Sequence, residues 1–196
     1  MQTLPYSAAL GQFCELAGYD PETLSDIDAA SINRLLNLWL RRGWEFYFWP
    51  QLAKTEQRDT APDGLIPFDA AALDYLDTIN AIYPDEPSAR EGARAVRFRI
   101  SSAGAFVQCH PSERQPSYWV EYRPPCPAWK STEPDAPVPA FLVPFAAHGA
   151  YQTWLRGEGQ QGKAIQETGL PWDWLYDEID KIERQQSQTR RWRFFR

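Results

Sequence analysis

The stretch INRLLNLWLRRGWEFYFWP, residues 32–50, decides the fold of the helical part of this chain. Leu38 and Leu40 add a second apolar face to its main apolar stripe, so we predict a long helix, from about residue 28 to residue 47, with two packing partners. Pro50 is predicted to end it. The main stripe has the i, i+3, i+4, i+7 spacing of an amphipathic helix: Ile32, Leu35, Leu36 and Trp39.

Six of the eleven residues from 39 to 49 are aromatic. A helix packed only on its own core rarely needs so many rings, and aromatic side chains are enriched where protein surfaces meet. The alternative for any single ring is that it lies in a tryptophan-rich core of the chain itself. We expect five of these rings to be shared between the chain's own core and a subunit interface: Trp39, Trp44, Phe46, Phe48 and Trp49.

The remaining pattern predicts an α+β fold. Further helices are expected at about residues 7–17, 144–156 and 171–188, and strands where apolar residues alternate at 96–100 and 118–122. The proline-rich segment 124–139 is expected to be extended. The expected organisation is a helical bundle core of residues 1–50 and 139–188, an inserted small antiparallel β region of residues 51–138, and an extended C-terminal tail of residues 189–196.

Charge is unevenly distributed along the chain. The net charge is −6, yet the last thirteen residues hold five arginines and no acid, which leaves a body of net charge −11. An acidic body is a poor surface for wrapping duplex DNA. No apolar run reaches the length of a membrane span, the N-terminus lacks a secretory pattern, and three cysteines without CxxC spacing predict a reducing compartment, the host cytoplasm: Cys14, Cys109 and Cys126.

No motif predicts catalysis, a metal or a cofactor. GEGQQGKA, residues 157–164, fits GxxxxGK, but Ala164 stands where a P-loop needs Ser or Thr for Mg²⁺, so a flexible turn between helices is expected. His110 and His148 lie far apart, and no cluster supplies three metal ligands. We therefore expect a protein that is not an enzyme, and a small enzyme with a cysteine or carboxylate site ranks last.

A carbohydrate-binding module is the main alternative function. Exposed tryptophans can stack on sugar rings, and Glu45 lies among aromatic residues. The helical half of the chain is unlike the all-β framework on which such modules are usually built. The tryptophans that this alternative would use are Trp44, Trp49 and Trp119.

The C-terminal tail combines arginines with aromatic residues, which a disordered basic tail does not normally carry. We expect it to dock into a groove on another chain, with folding back onto its own sheet and nonspecific nucleic-acid contact as alternatives. The residues of this tail are Arg190, Arg191, Trp192, Arg193, Phe194, Phe195 and Arg196.

The helix INRLLNLWLRRGWEFYFWPQL resembles the long helix of tailed-phage neck proteins. The segments VPAFLVPFAAHGAYQTWLRGEGQQGKA and DEIDKIERQQSQTRRW are similar to the two C-terminal helices of the same proteins. The resemblance covers roughly residues 28–52 and 139–192, and leaves the middle of the chain unmatched. These proteins are head-to-tail adaptors, a family that includes the tail tubular A proteins of short-tailed phages.

The resemblance implies a helical core with an inserted β region, in a ring of about twelve subunits below the portal protein. It also implies that Arg190 to Arg196 contact the portal or a neighbouring subunit. The β region would face the next tail or neck protein, and genomic DNA would pass through the lumen without sequence-specific binding. The expected location is the virion neck, after assembly in the host cytoplasm.

Overall fold

The computed structural model describes residues 2–67, 78–87, 94–100, 106–110, 112 and 114–193, with side chains as far as residue 185. The fold is α+β, as predicted from the sequence. The chain divides into two compact units, which we call the helical unit and the β unit. The helical unit is formed by Met1–Tyr47 and Cys126–Arg196, and the β unit by Phe48–Pro125.

The helical unit contains five α-helices and one two-stranded pairing in the described residues. The β unit contains two three-stranded antiparallel sheets in the same part of the chain, with strand orders β2-β7-β4 and β3-β6-β5. In chain order the elements are β1 (Thr3–Pro5), α1 (Tyr6–Ala17), α2 (Asp26–Phe46), β2 (Lys54–Asp59), β3 (Leu65–Pro67), β4 (Ile79–Tyr83), β5 (Phe98–Ile100), β6 (Phe106–Cys109), β7 (Ser117–Tyr122), β8 (Pro137–Pro139), α3 (Leu142–Gly157), α4 (Gln161–Gln166) and α5 (Leu170–Arg193).

The ends of α1 and α2 follow from local side-chain chemistry. α1 ends before Gly18, whose φ of 73° is the left-handed conformation that glycine adopts without strain. Ser25 caps α2, because its hydroxyl accepts a hydrogen bond from the Asp28 backbone N–H at 3.2 Å. The helix ends at Phe46, before the predicted stop at Pro50, because Tyr47 already has an extended backbone.

The core of the helical unit lies where α2 meets α3. Gly149 on α3 faces the Trp39 ring so closely that a Cβ at this position would overlap it. Gly43 on α2 is similar, since a Cβ there would lie 2.7 Å from a methyl group of Leu142. The Trp39 indole N–H donates to the Thr153 hydroxyl at 2.9 Å, which satisfies its polar group inside this contact. The two glycines therefore allow the two helix backbones to approach.

The proline-rich connector belongs to the helical unit. The Asn37 side chain on α2 holds the connector by two hydrogen bonds, each of 2.8 Å. Its Nδ2–H donates to the Trp129 carbonyl oxygen, and its Oδ1 accepts from the Trp129 backbone N–H. The Trp129 ring packs on Trp44 at a centroid distance of 6.2 Å. The connector then forms β8, which pairs antiparallel with β1. The helical unit therefore resumes at residue 126, earlier than the predicted residue 139.

The β unit has an aliphatic core between its strands. Tyr118 and Val120 are buried and Trp119 between them is half-buried, which confirms the alternation predicted for β7. The strand predicted at 96–100 is shorter, because β5 begins at Phe98, and the predicted alternation fails at Ile100, which is exposed like Arg99 before it. The buried residues of this core are Ile66, Ile82, Val96, Val107, Cys109, Tyr118 and Val120.

Two predictions about the C-terminal third of the chain were wrong. The segment 157–164 was expected to be a flexible turn, but it turns through Gly159, at a φ of 73°, and then forms α4, in which Ala164 is fully buried. The last helix was expected to end at residue 188, with an extended tail beyond it. α5 continues to Arg193, so residues 189–193 have a helical backbone.

Candidate functional site

Three of the five rings that were expected at a subunit interface are interior side chains. Trp39 and Trp44 are buried in the helical unit, and Trp49 is fully buried as well. Trp39 packs on Phe145 of α3 and on Trp172 of α5, at centroid distances of 5.4 and 5.9 Å. The interface expectation is therefore corrected for these three tryptophans, because a buried ring offers no surface to a second subunit. Phe48 is half-buried.

Phe46, the fifth ring, lies in an exposed group that we call the exposed ring cluster: Phe46, Trp172 and Tyr176. The Phe46 ring contacts Trp172 at 5.2 Å and Tyr176 at 5.7 Å between centroids. Phe46 is 39% exposed and Tyr176 is 55% exposed, while Trp172 is half-buried. The cluster joins the last turn of α2 to the first turns of α5. Its inner edge rests on the core, because Trp172 also contacts Phe145 at 5.3 Å.

Additional apolar side chains are exposed at the same end of α5. Trp174 is 47% exposed, Leu170 is 43% exposed, and Ile165 on α4 is also exposed. The Trp174 ring lies beside His148, at 6.4 Å between ring centroids, and His148 Nδ1 lies 3.4 Å from a carboxylate oxygen of Glu167. Exposed apolar side chains that lie together in this way commonly mark a surface that binds another molecule.

The exposed ring cluster has an acidic rim. Residues 170–180 of α5 bear four carboxylates and no basic residue, and the three aspartates among them are exposed. Acids near a helix N-terminus also interact favourably with the helix dipole. An apolar centre with a charged rim is the usual anatomy of a specific protein interface. The carboxylates are Asp173, Asp177, Glu178 and Asp180.

A polar contact holds α4 against α3. Gln152 is the buried polar residue of α3, and its amide donates to the Thr168 hydroxyl at 2.7 Å. The Thr168 hydroxyl in turn donates to the Ala164 carbonyl oxygen at 3.0 Å. This chain of hydrogen bonds fixes the segment that carries the false GxxxxGK match. Lys163 of that match is exposed on α4.

The residues considered for catalysis were the two histidines and the three cysteines. His110 Nδ1 lies 2.7 Å from the Ser112 hydroxyl, and the three cysteines form no disulfide. Within the described ranges, no group of three or more potential ligands could hold a metal ion. Of the residues proposed for sugar stacking, Trp44 and Trp49 are buried, and Trp119 is half-buried. Glu45 is paired with Arg41 at 2.8 Å.

The predicted tail divides between the described backbone and the residues beyond it. Residues 189–193 form the end of α5, and the docking role of their side chains stays a prediction. Phe194, Phe195 and Arg196 lie outside the described residues. The helical backbone changes the expected mode of contact, because a helix presents residues at i and i+3 or i+4 on one face and cannot add as a strand to a sheet edge.

The sequence held a signal for an exposed ring on α5 that the apolar stripe of this helix concealed. In PWDWLY, residues 171–176, rings stand at positions 172, 174 and 176. Residues i and i+2 of a helix point in directions about 200° apart, so these three rings cannot all face one core. At least one of them therefore had to face outward, and the crossing with α2 determines which.

The comparisons with known proteins give no family for this chain. No protein-family model matches it, and no curated protein matches it. In the part of the chain that the structure describes, no helix is both long and apolar enough to cross a membrane.

Proposed function

We propose that this protein is a structural, non-enzymatic subunit of a tailed-phage neck, a head-to-tail adaptor that forms a ring below the portal protein. The observation that carries the proposal is the exposed ring cluster at the end of the long aromatic helix. Phe46 and Tyr176 keep large apolar surface in water on a unit that already has a well-packed core. That surface is unfavourable for an isolated chain and favourable for one that is buried in an assembly.

The resembling segments support the same proposal. The helix with the FWP ending and the two C-terminal segments supply α2, α3, α4 and α5, which together build most of the helical unit. The part of the chain without resemblance supplies the β unit, between α2 and α3. This is the organisation that the resemblance implies: a helical core with an insertion.

The exposed ring cluster would form the lateral contact between neighbouring subunits. In a ring, each subunit uses two different surfaces, so the cluster of one copy meets another surface of the next copy. Aromatic side chains at the centre of an interface commonly cost about 2 kcal/mol or more of binding free energy when truncated. Phe46 and Tyr176 are the rings that can lose solvent contact in this way.

The end of α5 would contact the portal. The first half of this helix is acidic, and its C-terminal end carries Arg190, Arg191 and Arg193, so the helix is polarised in charge along its length of about 36 Å. Arginines at a helix C-terminus are favourable to the dipole, and guanidinium groups match the geometry of carboxylates. The acidic body of the chain would let DNA pass through the ring lumen with little adhesion.

Attachment to a purified portal ring tests this proposal. We expect the full chain to cosediment with the portal ring, and electron microscopy to show added density on one end of it. Replacing Arg190, Arg191, Arg193 and Arg196 by Gln should abolish cosedimentation without loss of helix content, measured by circular dichroism. The matched control is Arg41→Gln and Arg156→Gln, on α2 and α3. Failure of the full chain to bind any portal ring would contradict the adaptor function.

The carbohydrate-binding alternative receives less support from the same structure. Two of the three tryptophans on which it depended are buried. We therefore keep the adaptor as the single proposed function.

A further inference from the structure

The outer side of α2 carries an exposed leucine among arginines. Leu38 is 42% exposed. Residues three or four positions apart lie on one face of a helix, so Leu38 shares its face with the arginines at i−4, i+3 and i+4. All four side chains are exposed. We call this group the basic patch of α2: Arg34, Leu38, Arg41 and Arg42.

The three arginines of the basic patch differ in their surroundings. The Arg41 Nε donates to a carboxylate oxygen of Glu45 at 2.8 Å, and the Arg42 guanidinium lies over the Trp39 ring, 4.8 Å from its centroid. Around Arg34, the positions i±3 and i±4 hold alanine, serine, asparagine and leucine, so no acidic residue stands at the spacing of a helical ion pair. The charge of Arg34 is therefore not offset by a neighbour on its own helix.

The acidic rim of the exposed ring cluster has the opposite charge. Glu178 and Asp180 have basic neighbours on α5, at 3.4 and 3.8 Å between charged atoms. Asp173 and Asp177 stand four positions apart on the same helix, on either side of Tyr176 in the sequence. Two carboxylates at this spacing repel each other, and a basic side chain from another molecule would relieve the repulsion.

Other exposed apolar side chains of the helical unit lack arginines around them. Leu4, Tyr19 and Ile27 are exposed in the part of this unit that precedes the basic patch. Tyr19 and Ile27 each have two acidic residues within three positions and no basic one, and Leu4 has no charged side chain within three positions. The acidic rim would be repelled at the first two places and would gain no ion pair at the third. Charge therefore favours the surface around Leu38.

We propose that the basic patch of α2 in one copy of this chain binds the exposed ring cluster of a second copy. Leu38 would pack against the rings of Phe46 and Tyr176, and Arg34 would lie against Asp173 and Asp177 of the acidic rim. This assignment rests on the proposed function, in which the cluster meets another surface of the next copy, and names that surface.

The positions of the two surfaces require two copies. Leu38 and Phe46 are eight residues apart on α2, which places them about 12 Å apart along the helix axis and about 80° apart in direction. The patch and the cluster of one copy therefore face different ways. A contact between two different surfaces leaves one of each unused in every pair, so it can continue from copy to copy and close into a ring. A contact of cluster with cluster would stop at a dimer.

Mixing two defective variants tests the inference. The cluster variant is Phe46→Ser/Tyr176→Ser, and the patch variant is Arg34→Glu/Leu38→Ser. Each should be monomeric by native mass when it is alone, because each lacks one of the two surfaces. An equimolar mixture should form dimers with one copy of each, at least tenfold more tightly than either variant self-associates. In that dimer, the intact cluster of the patch variant meets the intact patch of the cluster variant.

Arg156→Glu, the same change of charge at an exposed position on α3, is the control and should assemble like the original chain. If the patch variant also assembles like the original chain, the inference is wrong, and the ring of the proposed function stands with a different second surface. If the original chain does not self-associate at any concentration, the inference is wrong too, while attachment to a portal ring still tests the adaptor function. Circular dichroism checks each fold, and Arg34→Glu alone replaces the patch variant if the latter unfolds.

The salt dependence of assembly tests the role of charge. Self-association of the original chain should weaken as salt is raised from about 0.05 to about 0.5 M, because screening shortens the range of charge interactions. Arg34→Gln should assemble less well at low salt and lose part of this dependence. Assembly that is independent of salt and unchanged in Arg34→Gln would overturn the assignment to the basic patch.

Discussion

The helical unit and the β unit are built around different kinds of core. In the helical unit, large rings meet backbone that lacks a Cβ, as Trp39 does at Gly149. In the β unit, the core is mainly aliphatic, with Ile82 and Val120 among its fully buried residues. In the helical unit, an added carbon atom would overlap atoms that are already in contact. In the β unit, a smaller side chain would leave a cavity.

The two units also expose different kinds of side chain. The helical unit exposes rings at Phe46, Trp174 and Tyr176, which suit a protein partner. The β unit exposes the arginines Arg97 and Arg99 on β5 and just before it. The two units therefore differ both in their cores and in the side chains that they expose. Four predictions test this difference between the two units, in order of decreasing effect on stability.

The largest effect is expected from adding one carbon atom to the helix crossing. Gly149→Ala should reduce the free energy of unfolding by about 4 kcal/mol, because the new Cβ would overlap a Trp39 ring held between Phe145 and Trp172. Urea denaturation followed by tryptophan fluorescence measures the change.

Gly11→Ala is the matched control for this change, since a Cβ at that position in α1 would meet no atom within 4 Å. It should raise stability by about 0.5–1 kcal/mol, because alanine loses less backbone entropy than glycine in a helix. Equal behaviour of the two variants would show that α2 and α3 do not approach as closely as described.

Truncation of the β core should have the next largest effect. Ile82→Ala should reduce stability by about 3 kcal/mol, because it removes buried methyl groups and leaves a cavity. In native-state hydrogen exchange, the amide protons of β7 should lose protection while those of α3 keep theirs. Ile100→Ala, at a position 41% exposed, is the control and should change stability by less than about 1 kcal/mol. An equal loss of protection in both units would contradict two separate cores.

A buried phenol should make the helical unit sensitive to high pH. Tyr6 is 1% exposed, and burial raises its pKa well above the ordinary value of 10.0, while its hydroxyl donates to Asn33 at 2.6 Å. The folded state therefore favours the protonated phenol, so this stabilisation is complete below pH 10 and is lost progressively as pH rises above it. The protein should unfold more readily in alkali than at neutral pH.

Tyr6→Phe should remove part of that alkaline loss, at a cost of about 1 kcal/mol at neutral pH for the missing hydrogen bond. Burial also raises the pKa values of Cys14 and Tyr83, so part of the alkaline loss should remain. Urea denaturation at pH 7, 9 and 11 measures both effects, with Tyr19→Phe at an exposed position as the control. Identical pH profiles for the original chain and Tyr6→Phe would contradict the role assigned to Tyr6.

The smallest effect on folding is expected at the exposed ring cluster. Phe46→Ser combined with Tyr176→Ser should lower the stability of the separate chain by about 1 kcal/mol or less, because both rings are already partly in water. Thermal denaturation of dilute protein measures this change. A loss of about 3 kcal/mol or more would place these rings in the core and remove them from an interface.

Much of the fold followed from periodicity in the sequence. The stripe from Ile32 to Trp39 predicted α2, and the alternation from Tyr118 to Tyr122 predicted β7, because each run buries one face only. The pairing of β1 with β8 and the short helix α4 were missed. Both are short and depend on distant contacts, such as that of Gln152 with Thr168, which no local pattern encodes.

The candidate interaction surface was harder to predict than the fold. The concentration of rings in residues 39–49 was evident, but their division between core and surface was not. Trp39 is interior because Gly149 leaves room for it, and Phe46 is exposed because α2 ends there against α5. Both facts depend on where helices cross, which the spacing within one helix cannot specify.

Native mass measurement of the purified chain at high concentration, with negative-stain images of the same sample, tests whether the exposed ring cluster joins neighbouring subunits of a ring. We expect closed rings of about twelve copies for the original chain, and folded monomers for Phe46→Ser/Tyr176→Ser. Tyr19→Ser, at an exposed ring outside the cluster, should form rings as the original chain does. Rings that form equally well without Phe46 and Tyr176 would contradict the claim that the exposed ring cluster is the lateral contact.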